Sequence, residues 1–414
     1  MKLKLKLSED WVTVAIAFAS ILVIIAGLQP SFPALSWGNG TGPLSPFAGS
    51  SLLLLGGLFV WILASYLLGR ILMGQPAEFL KSLKGILFIF LITLLAQFIT
   101  GNSAVSDLGL EVVLFSLLLG LFISNVLRVP AWAKPALQSE FYIKTGLVLL
   151  GCRIIFGDIV EAGTLGLLQS VIVVFTVWYA AYFICRKFGL DDELRMMVSS
   201  AVSICGVSAA IATSGAIEGD SKKLSYVISL VLIVAIPMML FMPYIAIWLD
   251  LPVAVAGAWM GGTIDTTGAV VAAGTLLGEE AVEYATVVKF SQNVLLGIAA
   301  FAISLYWTYS NKETGMEKPS LKTIWDRFPK FVLGFVLASL LFSFVLSPAT
   351  VERVSGPVKG IQTVWFGLAF TCIGLETRFA EIFKMDNGRP ALAFITAQLL
   401  NVVITLVVAY LIFS

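Results

Sequence analysis

The chain has 414 residues, of which 59% are hydrophobic and 12% charged, with a net charge of +1 and no histidine. Ordinary soluble domains carry about 25% charged residues, so a water-soluble fold is excluded, and the near-neutral charge offers no bulk attraction to nucleic acid. Without histidine there is no Ser–His dyad and no H-E-x-x-H zinc site, so neither enzymatic activity nor a bound metal or other cofactor is expected.

Apolar runs of about twenty residues, the length an α-helix needs to cross a bilayer, recur along the chain. The first, from Trp11 to Leu28, follows a Lys-rich start but precedes no small-residue cleavage site, and reads as a retained helix rather than a secretory signal. Uninterrupted spans are predicted at 11–28, 50–72, 85–100, 109–127, 141–157, 165–185, 224–249, 284–307, 331–347, 360–376 and 391–413, eleven in all. Two further segments, 192–217 and 252–277, are apolar but broken by Gly, Ser and Thr, and in the second by Asp265. The expected fold is all-α and polytopic, with eleven spanning helices plus two segments that either cross with a break at mid-depth or re-enter. Cys152, Cys185, Cys205 and Cys372 lack metal-type spacing and read as small packing residues.

Cytoplasmic loops are enriched in Lys and Arg. With the N-terminus in the cytoplasm, Arg70/Lys81/Lys84, Arg128/Lys134/Lys144, Arg186/Lys187/Arg195, the stretch from Lys312 to Lys330 and Arg378/Lys384/Arg389 all fall inside. The uncharged stretch Gln29–Ser50, the acidic Glu279/Glu280/Glu283 and the C-terminus then fall outside. The expected location is the inner (plasma) membrane, with lipid as the surrounding partner and a homodimer as a candidate assembly.

Internal symmetry is visible when Leu150 to Ile159 is laid over Ile373 to Ile382: Gly, Phe, the acid and the final Ile coincide. The two copies run in opposite directions, the relation of an inverted repeat. Gly206 to Gly215 and Asp265 to Gly274 form a second similar pair. As re-entrant hairpins, the two broken segments would enter from opposite sides and place Lys222 and Lys223 in the cytoplasm. The expected organisation is additional helices over 1–84, a first half over 85–250 holding segment 192–217, and a second half over 251–414 holding segment 252–277.

Irregular backbone inside a bilayer survives only where protein or a water-filled cavity satisfies its polar groups, so the breaks mark candidate sites. At Cys205-Gly206-Val207-Ser208 a half-helix can begin, its N–H groups and positive dipole end facing a solute, with Ser203 and Ser208 adding hydroxyls. Asp265-Thr266-Thr267-Gly268 repeats the arrangement, with Asp265 or a Thr as N-cap. Close helix packing by small residues is the structural alternative. A carboxylate at this depth costs about 2.5–3.5 kcal/mol, so Asp265 is the candidate ion-coupling residue for Na⁺ or H⁺. Lys289, Gln292 and Asn293 follow on the next helix, where Lys289 can meet an anion or Asp265, or snorkel. Arg153 and Glu376 occupy equivalent repeat positions and read as a stabilising or gating charge pair.

Ser203-Ile204-Cys205-Gly206-Val207-Ser208, Gly262-Thr263-Ile264 with Val270 to Gly274, and Gly374-Leu375-Glu376-Thr377 resemble the YeiH family of proposed sulfate exporters, over about residues 85–414. The resemblance implies the inverted-repeat architecture of the cation–proton antiporter and anion transporter superfamily, with a small inorganic or organic anion as substrate. This chain departs where it has Asp265-Thr266 in place of His-Glu and Gln292 in place of Arg. The functional expectation is a secondary active transporter, with a passive anion channel as the alternative.

Overall fold

The computed structural model describes residues 7–27, 35–38, 42–43, 45–47, 51–75, 79–106, 112–310, 322–380 and 388–414. Most of the predicted outer stretch Gln29–Ser50, residues 312–321 of the Lys312–Lys330 stretch, Lys384, and Glu381 and Ile382 of the repeat lie outside them. In chain order the α-helices are α1 (Glu9–Ile25), α2 (Ser51–Leu72), α3 (Phe79–Thr100), α4 (Ser103–Ser106), α5 (Val112–Phe122), α6 (Ser139–Leu150), α7 (Phe156–Lys187), α8 (Asp192–Ser200) and α9 (Val207–Ile217). They continue with α10 (Ser221–Trp248), α11 (Val253–Thr263), α12 (Thr267–Thr275), α13 (Glu279–Ser310), α14 (Lys322–Arg327), α15 (Lys330–Leu340), α16 (Pro348–Glu376) and α17 (Arg389–Phe413). Among the described residues, an isolated bridge between Trp37 and Asn102 is the one β-type contact.

Among the described residues seven helices are long and apolar enough to cross a membrane: α2, α3, α7, α10, α13, α16 and α17. The other four predicted spans are shorter or interrupted. α1 has 17 residues. α5 and α15 pass into π-helical turns at Ile123–Leu127 and Leu341–Val345. The span expected at 141–157 stops at Leu150, passes through a 3-10 turn at Gly151–Arg153 and turns extended at Ile154. There Gly151 lies directly against the Phe335 backbone, an approach that a side chain would block.

The chain forms two compact units, one of residues 1–157 and 330–377 and the other of 158–329 and 378–414. In the first unit α16 packs on α5, α6 and α3. Its contact with α5 is close because Gly374 faces the backbone of Leu117 and Gly120. Thr93 and Thr371 hydroxyls meet at 2.9 Å, and Asn125 Nδ2 donates to Thr377 O at 3.1 Å. Lys144 pairs with Glu9 at 2.8 Å and Asp10 at 3.1 Å, tying α6 to the start of α1.

In the second unit the two interrupted segments, which the sequence reading assigns to different halves, both pack on α13. The first is α8, a π-helical turn at Ala201–Cys205, the break at Gly206, and α9. Its two ends meet: Lys223 Nζ lies 3.0 Å from Asp191 Oδ1 and 3.2 Å from Glu193 Oε2, and Asp220 N donates to Glu193 Oε2 at 3.1 Å. The chain therefore goes in and comes back. The second segment behaves alike, because α11 runs along α13 with Gly257 against Ala281 and Tyr284 and Gly261 against Ala285. α12 then returns, with Thr267 beside Asn293 and Gly274 beside Val282. Eleven helical residues rise about 16 Å, roughly half of a ~30 Å hydrocarbon core, so arms such as α9 and α11 have the length of half-crossings.

Candidate functional site

The tips of the two hairpins touch. Gly206 has φ +53°, and a Cβ there would fall 2.5 Å from Val231 Cγ1 and 3.0 Å from Asp265 Cβ. Glycine is required on both counts, by the backbone conformation and by the lack of room. The contact brings together the two breaks that the sequence singled out, Cys205–Ser208 and Asp265–Gly268.

Interrupting a helix frees the carbonyls before the break and the N–H groups after it. The freed carbonyls are satisfied by side chains of α13 and α17. Asn401 Nδ2 donates to Val202 O at 3.0 Å, Gln292 Nε2 to Ser203 O at 2.9 Å, and Lys289 Nζ to Ile204 O at 2.8 Å. At the other tip Gly262 O accepts from Gln292 Nε2 at 3.1 Å, and Thr263 O accepts from Gln398 Nε2 at 2.8 Å and Asn401 Nδ2 at 3.3 Å. Gln292 and Asn401 thus each bridge both tips.

The N-terminal ends are treated differently. α12 is capped by Thr266, whose Oγ1 accepts from Ala269 N at 3.3 Å, so of the two cap candidates a threonine takes the role and Asp265 does not. α9 starts at Gly206 with no side-chain cap. Beside it sits Asp265, 1% exposed, with no donor within 3.5 Å of either carboxylate oxygen, the side chain of Gln398 being the hydrogen-bonding group next to it. Asn293 Oδ1 and Gln398 Oε1 are likewise buried without donors. The arrangement combines N–H groups that no side chain caps with acceptors that lack donors, the kind of surface an ion or polar solute can complete.

The remaining predicted residues of the second unit fall around this centre. Lys289 is 1% exposed and donates to Gln292 Oε1 at 2.8 Å as well as to Ile204 O; no ion pair within 4.0 Å joins it to Asp265. It is a buried ammonium held by neutral oxygens rather than a snorkelling one. Asn293 Nδ2 donates to Thr267 Oγ1 at 3.3 Å. Ser203 spends its hydroxyl on Ser199 O at 2.7 Å, whereas Ser208 is exposed and Val207, Thr266 and Thr267 are half-buried. Cys205 and Gly268 are buried. Arg153 and Glu376 belong to the first unit and are not paired with each other within 4.0 Å; Glu376 accepts from Ser139 Oγ at 2.7 Å. Among the described residues no group of three or more Cys, Asp or Glu is placed to hold a metal ion.

Sequence reasoning missed Gln398, Asn401 and Thr405 on α17 and Gln169 on α7. Thr405 Oγ1 donates to Asn401 Oδ1 at 2.7 Å, and Gln169 Nε2 donates to Ala258 O at 2.8 Å. The signal was available, since 398, 401 and 405 are spaced by three and four and so form one polar stripe on an apolar helix.

A family described as Conserved hypothetical protein 698 matches residues 84–393. A UPF0324 membrane protein of Rhodopirellula baltica is 38% identical over 372 residues, covering 86% of this chain and 67% of the relative. Another of Nitratidesulfovibrio vulgaris is 36% identical over 364 residues, covering 84% and 62%, and one of Nitrosomonas europaea is 32% identical over 320 residues, covering 69% and 65%. The chain thus spans about two thirds or somewhat less of the length of these relatives. No solved structure matches it. The matched region takes in both hairpins and all of α16, the segments that carry the YeiH-type resemblance, and the chain belongs to this UPF0324 membrane protein family, the YeiH type of proposed sulfate exporters.

Proposed function

We propose that the protein is a secondary active transporter of a small anionic solute, of the sulfate, sulfonate or organic-anion kind, working by alternating access in the plasma membrane. The observation that carries this reading is the meeting of two half-length hairpins at Gly206 and Asp265, where α9 starts without a side-chain cap and a buried carboxylate lacks donors. Uncapped helix starts favour anions. The solute lies against the backbone of Cys205 to Ser208 and of Thr266 to Gly268, with the Ser208, Thr266 and Thr267 hydroxyls within reach. Lys289 adds positive potential from behind the first tip, and Gln292 and Asn293 hold the tips in register. Asp265 couples transport to Na⁺ or H⁺.

The opposed hairpins support an inverted-repeat architecture. The first has its open end at Lys223, on the cytoplasmic side if basic loops face inward, and the second opens toward Glu279. With the four shorter helices counted as crossings, eleven spans place the N-terminus inside and the C-terminus outside. Replacing His-Glu by Asp265-Thr266 and Arg by Gln292 removes cationic groups, which widens the substrate range beyond sulfate.

Counterflow in proteoliposomes tests the reading. A carrier gives saturable accumulation of labelled sulfate, sulfonate or organic anion against an unlabelled internal pool, dependent on Na⁺ or pH, and loses that dependence in Asp265→Asn. Linear, voltage-driven flux with unitary currents would assign a passive anion channel instead.

A further inference from the structure

The two hairpin tips carry unmet hydrogen-bonding capacity of opposite sign. On the first tip, α9 opens at Val207, Ser208 and Ala209 without a side-chain cap, and the N–H groups of a helix's first turn have no acceptor within the helix. On the second tip, both carboxylate oxygens of Asp265 lack a donor at 1% exposure. Asn293, whose Nδ2 reaches Thr267 Oγ1 at 3.3 Å, leaves its buried Oδ1 without a donor as well. The tips touch, since a Cβ at Gly206 would fall 3.0 Å from Asp265 Cβ and 3.2 Å from Asp265 O. Donors that favour an anion and acceptors that favour a cation therefore stand side by side.

We infer that the solute is a short zwitterion, an amino acid or amino-sulfonate, with its carboxylate or sulfonate at the start of α9 and its ammonium at Asp265 and Asn293 Oδ1. The inference rests on the reading of the tips as the solute site and narrows the proposed anion to one that also bears an amino group. Hydrogen-bond valence agrees: an ammonium brings three donors, and Asp265 and Asn293 present three oxygens without donors. Charge agrees as well. Among the described residues of the second unit, Asp265 and Lys289 are the buried charged side chains, one of each sign. A zwitterion keeps the tips neutral, whereas a dianion adds a buried surplus that a low dielectric penalises. The polarity is set too, because Lys289 stands behind the first tip, bound to Ile204 O at 2.8 Å, and favours the anionic end there. The close approach of Gly206 to Asp265 calls for a short linker between the two charges. With one carboxylate for both, the ammonium and the coupling cation occupy Asp265 in turn.

Counterflow into proteoliposomes of the full-length protein, at fixed Na⁺ and pH, tests this with pairs that differ by the amino group alone: β-alanine against propionate, and aminoethanesulfonate against ethanesulfonate. Each amino compound is expected to half-saturate exchange at a concentration roughly ten- to a hundredfold below that of its partner, the worth of a hydrogen-bonded charge. Asp265→Asn is expected to shrink that ratio to a few-fold. Equal exchange within each pair, or exchange of sulfate with none of the four, would overturn the zwitterion and leave the anion transporter standing. Propylamine exchanging as well as β-alanine would overturn the anionic end. No exchange of any of these solutes would overturn the transporter reading along with it. The wild-type ratios decide the matter even if Asp265→Asn does not fold.

Discussion

Gln292 is the single side chain whose removal should most damage the hairpin contact. Its Nε2 donates to Ser203 O at 2.9 Å and to Gly262 O at 3.1 Å, one on each tip, and its Oε1 accepts from the buried Lys289 at 2.8 Å. Gln292→Ala strips a donor from two buried carbonyls and an acceptor from a buried ammonium, at a position 1% exposed. Each of the two orphaned carbonyls costs about 1–3 kcal/mol, and the lost bond to the charged Lys289, which keeps Ile204 O, adds about 1.5–3 kcal/mol, so the total is about 3–6 kcal/mol after partial relaxation. At roughly 2–4 °C per kcal/mol for a domain of this size, the melting temperature should drop on the order of 10 °C. Thermal unfolding in detergent, followed by tryptophan fluorescence, reads this directly. Lys289→Ala in the same background should add less than its effect alone, because the two side chains share one network. A Gln292→Ala protein melting within about 2 °C of wild type would refute the bridging role.

Three further outcomes follow from the same geometry. Gly206→Ala forces a side chain into a positive-φ position against Val231 and Asp265; it should cost at least about 2 kcal/mol and abolish counterflow, and a variant of normal stability and transport would contradict the contact. Asn401→Leu leaves Val202 O unpaired and Thr263 O with one donor fewer, so it should lower stability by about 1–3 kcal/mol despite retaining volume, whereas Leu399→Ala, on the exposed face of α17, should barely move the melting temperature. Lys223→Ala opens the closed end of the first hairpin; because Lys223 is 24% exposed, the loss should stay below about 1 kcal/mol, but hydrogen exchange over 191–223 should rise, and unchanged exchange would show that the ion pairs do not clasp the hairpin.

The membrane class and the two breaks were legible because their causes are local. Composition sets the solvent, and Gly206, Ser208, Asp265 and Gly268 interrupt otherwise apolar runs in a way that only a satisfied cavity tolerates. The choice between crossing and re-entry was not legible. It rests on Lys223 reaching Asp191 and on Gly257 and Gly274 both facing the first two turns of α13, and sequence distance conceals both facts. Of the two cap candidates, Asp265 and a threonine, Thr266 takes the role, since adjacent residues compete for one N-terminus and only the backbone turn decides between them. The α6 span was read across Gly151–Arg153 because an apolar run gives no sign of a 3-10 turn. Lys289 and Glu376 show the same limit. Lys289 was open between meeting an anion or Asp265 and snorkelling, and Glu376 was expected to pair with Arg153; the neutral groups that hold them, Gln292 Oε1 and Ile204 O for the one and Ser139 for the other, give no sign of that role in the sequence.

The proposed mechanism requires the hairpin tips to face the two sides of the membrane in turn, and cysteine labelling measures that exposure. Ser208→Cys and Thr266→Cys, compared with the wild-type chain whose four cysteines are buried, are placed in oriented proteoliposomes and treated with a membrane-impermeant maleimide from either side. Each introduced cysteine is expected to be labelled from both sides, with solute slowing both reactions and Na⁺ or pH shifting the balance between them. Labelling from one side alone, indifferent to solute and ion, would contradict the mechanism.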